Sequence, residues 1–466
     1  MFAAVMAAGC VPNNTVFAPE DAAPEMPDDP DPDPTQEPCE PGAFLGCEED
    51  VAQFCGADGL TIASTSCDAG CNAGAARCNE CVPDATTCAT GEVVHCGSDG
   101  LVASTESCAA GCVDEGGGPR CAHIVPAFLP NVCDAQASLP AFEIDDVVPR
   151  SFDTDDNTKC NGGIIKMHPT GPEICVVRAR TIALSSPLTV LGSRAIAFVA
   201  DGELIATSTI DVSARGSASG PGGGVRVSGA APSTAGGGAS GGGAGGKQAG
   251  ASGGALGDLG LNSGAGGAVS DQFVIGSFEG GARAGSANVL VPNYGPQGGG
   301  GGGALMLVSC TDEVIAAGII DAAGGGGGAG GDGVATAVTK LMGGAGGGAG
   351  GYVVLQGANV TASGAMFANG GGGGGGCSGE GCRGKPGEDG NHSRARGGAG
   401  TGSGTAGGTG SLGTSPPTNG VTSLSAGSPG GGGGASGRFQ IFVPAGVTPS
   451  VSTQPAFEPH RTIETR

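Results

Sequence analysis

The chain has 466 residues, 100 of them glycine, and sets 20 basic side chains against 44 acidic ones for a formal net charge of −24. That balance excludes nucleic acid as a partner, because phosphates demand lysine and arginine, and argues against adhesion to anionic lipid. With no tryptophan and only two tyrosines, Tyr294 and Tyr352, stacking platforms for sugars or bases are scarce. Nineteen cysteines point to an oxidising compartment.

The opening "MFAAVMAAGC" is apolar, then small, then Cys10. It resembles the tail of a bacterial lipoprotein signal, in which the chain is cut before a cysteine that carries lipid. On that resemblance residues 1–10 are the signal and Cys10 is the lipid attachment residue. No later run of 18 or more apolar residues follows to span a membrane. Residues 11–38 hold eight prolines and eight acidic residues with no lysine or arginine. Such a stretch buries no core and reads as an extended stalk.

An internal repeat comes next. "FCGADGLTIASTSCDAGC" (54–71) recurs as "HCGSDGLVASTESCAAGC" (95–112). Cys39, Cys47, Cys55, Cys67, Cys71 and Cys78 align with Cys81, Cys88, Cys96, Cys108, Cys112 and Cys121. Two six-cysteine copies of about 40 residues are the signature of small disulfide-stapled modules, 39–80 and 81–125. A unit so short has too little core without staples, and six cysteines allow 15 pairings. A zinc reading competes through Cys78-x2-Cys81, but that pair straddles the boundary between copies, no second CxxC follows, and His95 and His123 do not recur at matching positions. Disulfides are therefore expected, and no metal.

Residues 126–180 read as a connector and cap. Its acidic run "EIDDVVPRSFDTDDNTKC" lacks the spacing of a calcium loop, so a solvated loop is expected. Cys133, Cys160 and Cys175 lie here and make an even six with Cys310, Cys377 and Cys382; Cys377-x4-Cys382 is placed to staple a loop.

From 181 to 455 four apolar cores overlay: 194–216, 304–325, 352–371 and 438–452. The first three share a strand, a polar corner, a second strand, a small residue, a third short strand and then glycine. Ile210, Ile320 and Met366 fall in register, as do Asp211, Asp321 and Phe367. Units of about 20 residues with strands this short are expected to stack as rungs of a right-handed parallel β-helix, with the glycine tracts (216–303, 324–351, 370–437) as long insertions leaving one corner. The fold class is thus all-β, preceded by the two small disulfide-rich modules; 456–466 is a tail. The insertions have two readings, flexible loops or extended glycine strands packed side by side.

Several motifs fall short. "GASGG" occurs twice, giving Ser240 and Ser252 the G-x-S-x-G pattern, but without the strand and helix of a nucleophile elbow. Gly246-Lys247 lacks the hydroxyl residue of a phosphate loop. "GCRGKPGEDG" holds too few triplets for a triple helix, and "GGAGGDGVA" lacks the calcium nonapeptide spacing. The best enzymatic case is Asp211 with Asp321: on adjacent rungs they stand about 4.8 Å apart, near the separation of a retaining carboxylate pair. The sequence offers them no clear cationic partner. Rung-turn aspartates also commonly satisfy backbone N–H groups.

The layout as a whole, from Cys10 through the six-cysteine repeat to "GSRAIAFVADGELIATSTIDVSARG", resembles glycine-rich, cysteine-repeat surface lipoproteins of large-genome Gram-negative bacteria with a pectate-lyase-like parallel β-helix body. The resemblance implies a lipid-anchored location at the outer membrane or cell surface, and Val11 after Cys10 implies outer-membrane sorting. The expectation is a non-enzymatic structural or adhesive protein without cofactor, held to the membrane by its lipid and meeting a surface glycan or protein. The alternative is a polysaccharide lyase or hydrolase built on Asp211 and Asp321.

Overall fold

The computed structural model describes residues 38–114, 118–134, 140–144, 150–166, 172–224, 278, 281–284, 296–331, 341–379, 381–422, 428–452 and 461–465. Cys10, the stalk up to residue 37, Lys247, Ser240, Ser252 and Tyr294 lie outside these. Among the described residues all regular structure is β. The chain divides into two compact units, Met1–Pro83 with Asp99–Leu101, and Asp84–Ser98 with Val102–Arg466.

The first unit is a three-stranded antiparallel sheet, Phe44–Glu48, Val51–Cys55 and Ile62–Ser66, with a hairpin of Cys71–Asn72 and Arg77–Cys78. Strand Ile62–Ser66 is exposed throughout, so the unit has almost no apolar interior. Disulfides Cys39–Cys55, Cys47–Cys71 and Cys67–Cys78 do the work of a core. The repeated Asp-Gly marks a turn in both copies: Gly59 and Gly100 take φ of 71° and 74°, a region open to glycine. Asp58 accepts the N–H of Leu60 and Thr61 and the Thr61 hydroxyl. These bonds hold its carboxyl down to about 2.

The second unit begins with the matching sheet, Thr86–Ala89, Glu92–Cys96 and Val102–Ser107, and the hairpin Cys112–Asp114 with Pro119–Cys121. Cys88–Cys112 and Cys108–Cys121 repeat the staple order of the first copy, and Cys81 and Cys96 are also oxidised.

Beyond it the chain passes in rotation through three sheets of seven, six and five strands. Glu173–Ala179, Ile182–Leu184 and Leu188–Leu191 make one turn. Ala195–Ala200, Leu204–Ala206 and Ile210–Asp211 make the next. Ala304–Ser309, Glu313–Ala316 and Ile320–Asp321 follow after the first glycine tract. Tyr352–Gln356, Asn359–Ala362 and Met366–Phe367 follow after the second, and Arg438–Pro444 with Ser450–Val451 after the third. Each strand pairs in parallel with its counterpart one turn on, so like residues stack. Leu188, Ile210, Ile320 and Met366 form one inward column, and Phe198, Leu307, Leu355 and Ile441 another. The columns meet in one apolar core. The overlaid registers of Ile210, Ile320 and Met366 and of Asp211, Asp321 and Phe367 are those of the structure.

The seven-stranded sheet is buried on both faces, as continuous apolar runs in parallel strands require. Its outer face carries Ala197, Val199, Met306, Val308 and Val354, covered by Ile124, Phe128 and Leu129. Phe128 meets Tyr352 and Phe442 edge-on at 6.0 Å each. The covering segment is fixed by Ile124 N–H donating to the Cys310 carbonyl at 2.8 Å, by Ala127 N–H donating to Gln356 Oε1 at 2.7 Å, and by the disulfide Cys133–Cys310. Cys160–Cys175 and Cys377–Cys382 complete the pairing of the body's cysteines.

The described glycine tracts are packed, not loose. Within 371–376 the donors turn through three neighbouring segments in strict succession. Gly371 and Gly374 donate to Gly348 and Ala345; Gly372 and Gly375 donate to Glu388 and Lys385; Gly373 and Gly376 donate to Gly408 and Thr405, all at 2.7–2.9 Å. The neighbouring segment behaves alike: Gly344, Gly347 and Gly350 donate to Pro429, Gly432 and Ala435, whereas Ala345, Gly348 and Gly351 donate to Gly328, Gly325 and Ala322. A period of three, with every bond going to another segment, is that of the polyproline-II chain, which makes no internal hydrogen bonds. Each interior segment therefore satisfies its buried backbone from three sides. Only glycine and scattered alanine fit: a Cβ on Gly348 would overlap the Gly300 carbonyl oxygen, and one on Gly372 the Arg396 carbonyl oxygen. At the rim, side chains take over the bonding. Thr401 Oγ1 donates to the Arg383 carbonyl at 2.8 Å, Arg394 Nε to that of Gly410 at 3.0 Å, and Thr418 Oγ1 accepts from Thr409 N–H at 2.8 Å.

Candidate functional site

The sheet of five strands presents one outward column, Thr189, Asp211, Asp321 and Phe367. Alternation along each strand dictates this: Ile210, Ile320 and Met366 point inward, so the next residue points out. Asp211 and Asp321 are thus direct neighbours across a parallel pair. Each also accepts the backbone N–H two residues ahead, from Ser213 at 2.9 Å and from Ala323 at 3.0 Å. These bonds turn the chain out of the ladder into the glycine tracts.

The two carboxyls differ in environment. Asp211 also accepts the Ser213 hydroxyl at 2.6 Å and Arg215 at 2.7 Å. The sequence offered no clear cation for this pair; the structure supplies Arg215, four residues along a corner that is not helical. Among the described residues Asp321 has no hydrogen-bonded cation. Burial, reinforced by the Asp211 charge, pushes its carboxyl up to about 6, against the opposing pull of the Ala323 N–H, His392 and Arg215. Arg215 is raised in turn, first by its hydrogen bond to Asp211 and then by that residue's charge. Its side chain is 67% exposed, so Arg215→Ala is expected to lower stability by less than about 1 kcal/mol in denaturant titration.

The loop 387–396 lies beside this corner. Asp389 Oδ1 accepts the N–H of Gly216 at 2.7 Å and of Gly326 at 2.6 Å, tying both tracts to one carboxylate. The His392 ring meets Phe367 at 6.2 Å, which covers the far end of the outward column. An open polar depression here is lined by Glu388, Asp389, Asn391, Ser393 and Arg396 among others. Most of its polar groups already serve the loop: Glu388 Oε2 accepts Arg396 N–H, and Asn391 Oδ1 accepts the Ser393 N–H and hydroxyl.

Chemically, the corner holds one carboxyl that burial raises to about 6 beside one that is hydrogen-bonded by an arginine. Two carboxyls in unlike environments are the raw material of an acid–base pair. The same bonds, however, serve chain geometry first. Among the described residues no His, Cys, Asp and Glu group is placed to hold a metal ion. Sequence reasoning missed Arg215, Asp389 and His392. Asp389 and His392 sit far along the chain in a glycine tract, and only the packing of that tract brings them to the corner. Comparison with protein-family models, with curated proteins and with solved structures finds no match to this chain.

Proposed function

We propose that this is a non-enzymatic, lipid-anchored protein of the cell surface, structural or adhesive, in which a right-handed parallel β-helix carries the glycine array outward. The observation that carries this reading is the array itself. Ordering glycine costs more backbone entropy than ordering any other residue, and the array spends that on a rigid surface with few reactive side chains. Such an investment suits presentation better than catalysis. The rotation of the chain through three parallel sheets with stacked inward columns supports the β-helix reading. The disulfides of both repeat copies support an oxidising location. The anchor rests on the resemblance of "AAGC" and Cys10 to a lipoprotein signal.

A second reading, a lyase or hydrolase acting on extracellular glycans, draws on the raised Asp321 carboxyl beside Asp211. One experiment separates the two. The oxidised protein from residue 11 onward is mixed with a panel of soluble and insoluble bacterial and plant polysaccharides, and the same tubes are scored for co-sedimentation and for new reducing or unsaturated ends. Retention without new ends is the expected result. Release of ends, abolished by Asp211→Asn, would replace the adhesive reading with the enzymatic one. Neither retention nor release would leave a structural role.

A further inference from the structure

The two cysteine modules share a strand order but differ at one edge. In the first, strand Ile62–Ser66 is the outermost of three and is exposed along its whole length. Its inner side is spent on the ladder. Gly56 N–H donates to the Thr61 carbonyl and Cys67 N–H to that of Asp50, and the register runs unbroken between those two pairs. Antiparallel bonding alternates along a strand, so Thr61, Ala63, Thr65 and Cys67 face the ladder. Ile62, Ser64 and Ser66 turn their N–H and carbonyl groups outward, where no described residue meets them.

An open edge of this kind is a template for another strand, and natural edges are blunted by charge, proline or a bulge. The second module shows two of these devices. Its matching strand, Val102–Ser107, carries Glu106, and its register slips by one residue at Ala103, the position aligned with Ile62. Cys108 N–H donates to the Gly91 carbonyl, so the same alternation leaves Thr105 and Ser107 facing outward. Pairing that edge with itself would set Glu106 against Glu106, a like-charge opposition. The first module has neither device. Its "IASTS" contains no charge and no proline and does not slip against its neighbour. Ile62 is 55% exposed and Leu60 49%, so apolar surface lies beside the open bonding groups.

We propose that Ile62–Ser66 pairs antiparallel with the same strand of a second copy of this chain, joining two sheets of three strands into one of six. The occupant follows from the symmetry of the edge. With Ser64 on a two-fold axis, Ser64 meets Ser64 and Ile62 meets Ser66 in both directions, so all the outward groups of both copies exchange bonds. Continued along the chain, this register puts Leu60 opposite Asp68 and Asp58 opposite Gly70, and no like charges meet. A neutral, self-matching edge is what pairing requires in a chain of net charge −24, whose copies otherwise repel one another. The proposal goes beyond the surface reading and depends on neither the lipid nor a glycan. A contact this short is smaller than a standard interface and makes a weak pair.

The test is sedimentation equilibrium of the full oxidised chain carrying Cys10→Ser. The other cysteines are all in disulfides, so this change removes the thiol that could link copies covalently. The chain is loaded up to about 1 mM, where a weak pair is populated. Its average mass is expected to rise with concentration from one chain toward two and no further. Ser64→Lys and Ser64→Glu, both on the exposed strand, are each expected to weaken the pairing at least tenfold by setting like charges on the axis. An equimolar mixture of the two is expected to restore it. Thr105→Lys, at the matching position of the second module, leaves the association unchanged. Peptide mapping of Cys39–Cys55, Cys47–Cys71 and Cys67–Cys78 establishes that the variants fold. A chain that stays monomeric at every loading would overturn the proposal and leave the edge to a foreign strand. Association unaffected by Ser64→Lys, or a mixture no heavier than either variant alone, would overturn it as well.

Discussion

Gly348→Ala is expected to destabilise the second unit by about 3 kcal/mol or more, with lower soluble yield. Gly348 sits at an interior crossing of the array, donating to the Gly325 carbonyl at 2.8 Å and accepting from Gly371 N–H at 2.9 Å. An added Cβ would overlap the Gly300 carbonyl oxygen and lie 2.6 Å from the Gly300 carbonyl carbon and 2.9 Å from the Gly299 oxygen. All three are backbone atoms, so no side-chain rotation relieves the overlap. Overpacking a well-filled core typically costs about 1–3 kcal/mol. Here the obstructing segment is itself bonded to others, so shifting it breaks further bonds at about 1 kcal/mol each. Gly74→Ala is the control. Its nearest contact is Asn72 Oδ1 at 3.4 Å, and it is expected to stay within about 0.5 kcal/mol of the parent. Equal unfolding midpoints for Gly348→Ala and the parent would mean that the array is not close-packed at that crossing.

The second large effect is electrostatic. In the folded chain the Asp321 carboxyl is raised to about 6 from an ordinary 3.8, mainly by burial, so the folded state holds this proton more tightly than the unfolded state. Its contribution is most favourable below about pH 4. It is lost as the pH rises through about 6 and is constant above. Two units at about 1.4 kcal/mol each give a loss of about 3 kcal/mol across that window. Asp321→Asn keeps an acceptor for the Ala323 N–H and removes the charge. It is expected to stabilise the protein by about 2–3 kcal/mol at pH 8 and to make no difference near pH 4. Asp58 and Asp156, both lowered, lose their contributions at more acidic pH, so they do not mimic this window. The measurement is the difference in denaturant midpoint between parent and variant from pH 4 to 8. A difference that does not change with pH would show that Asp321 is ionised at no extra cost. The charges facing it in that titration are Asp211, Arg215 and His392.

The parts of the fold readable from sequence were those written in side chains. The cysteine spacing announced two stapled modules, and the alternation around Ile210, Ile320 and Met366 announced stacked strands with their register. The turn Glu173–Leu191 escaped the overlay because "EICVVRARTIALSSPLTVL" runs on into the next strand and is followed by no glycine tract. The cover over the seven-stranded sheet was equally quiet: Ile124, Phe128 and Leu129 are apolar without period, and only the buried outer face explains them. The glycine array was the least legible. Its order lies in backbone bonds at every third residue, and a residue without a side chain leaves no pattern of polarity to read. The corner around Asp211 suffered in consequence, since Asp389 and His392 reach it only through that packing.

The array has a consequence for how long the molecule lasts. Between residues 341 and 382, and again between 397 and 437, the sequence contains no lysine or arginine. A trypsin-like protease therefore finds no cleavage point within either stretch; between them it finds Arg383, Arg394 and Arg396 on the rim, Lys385 being shielded by Pro386 after it. A nick at the rim leaves the interior chains held from three directions, with few loose ends to pull on. Wear at the margin and persistence at the centre follow from the same absence of side chains, and such a body keeps its form through damage that would unravel an ordinary loop-built surface.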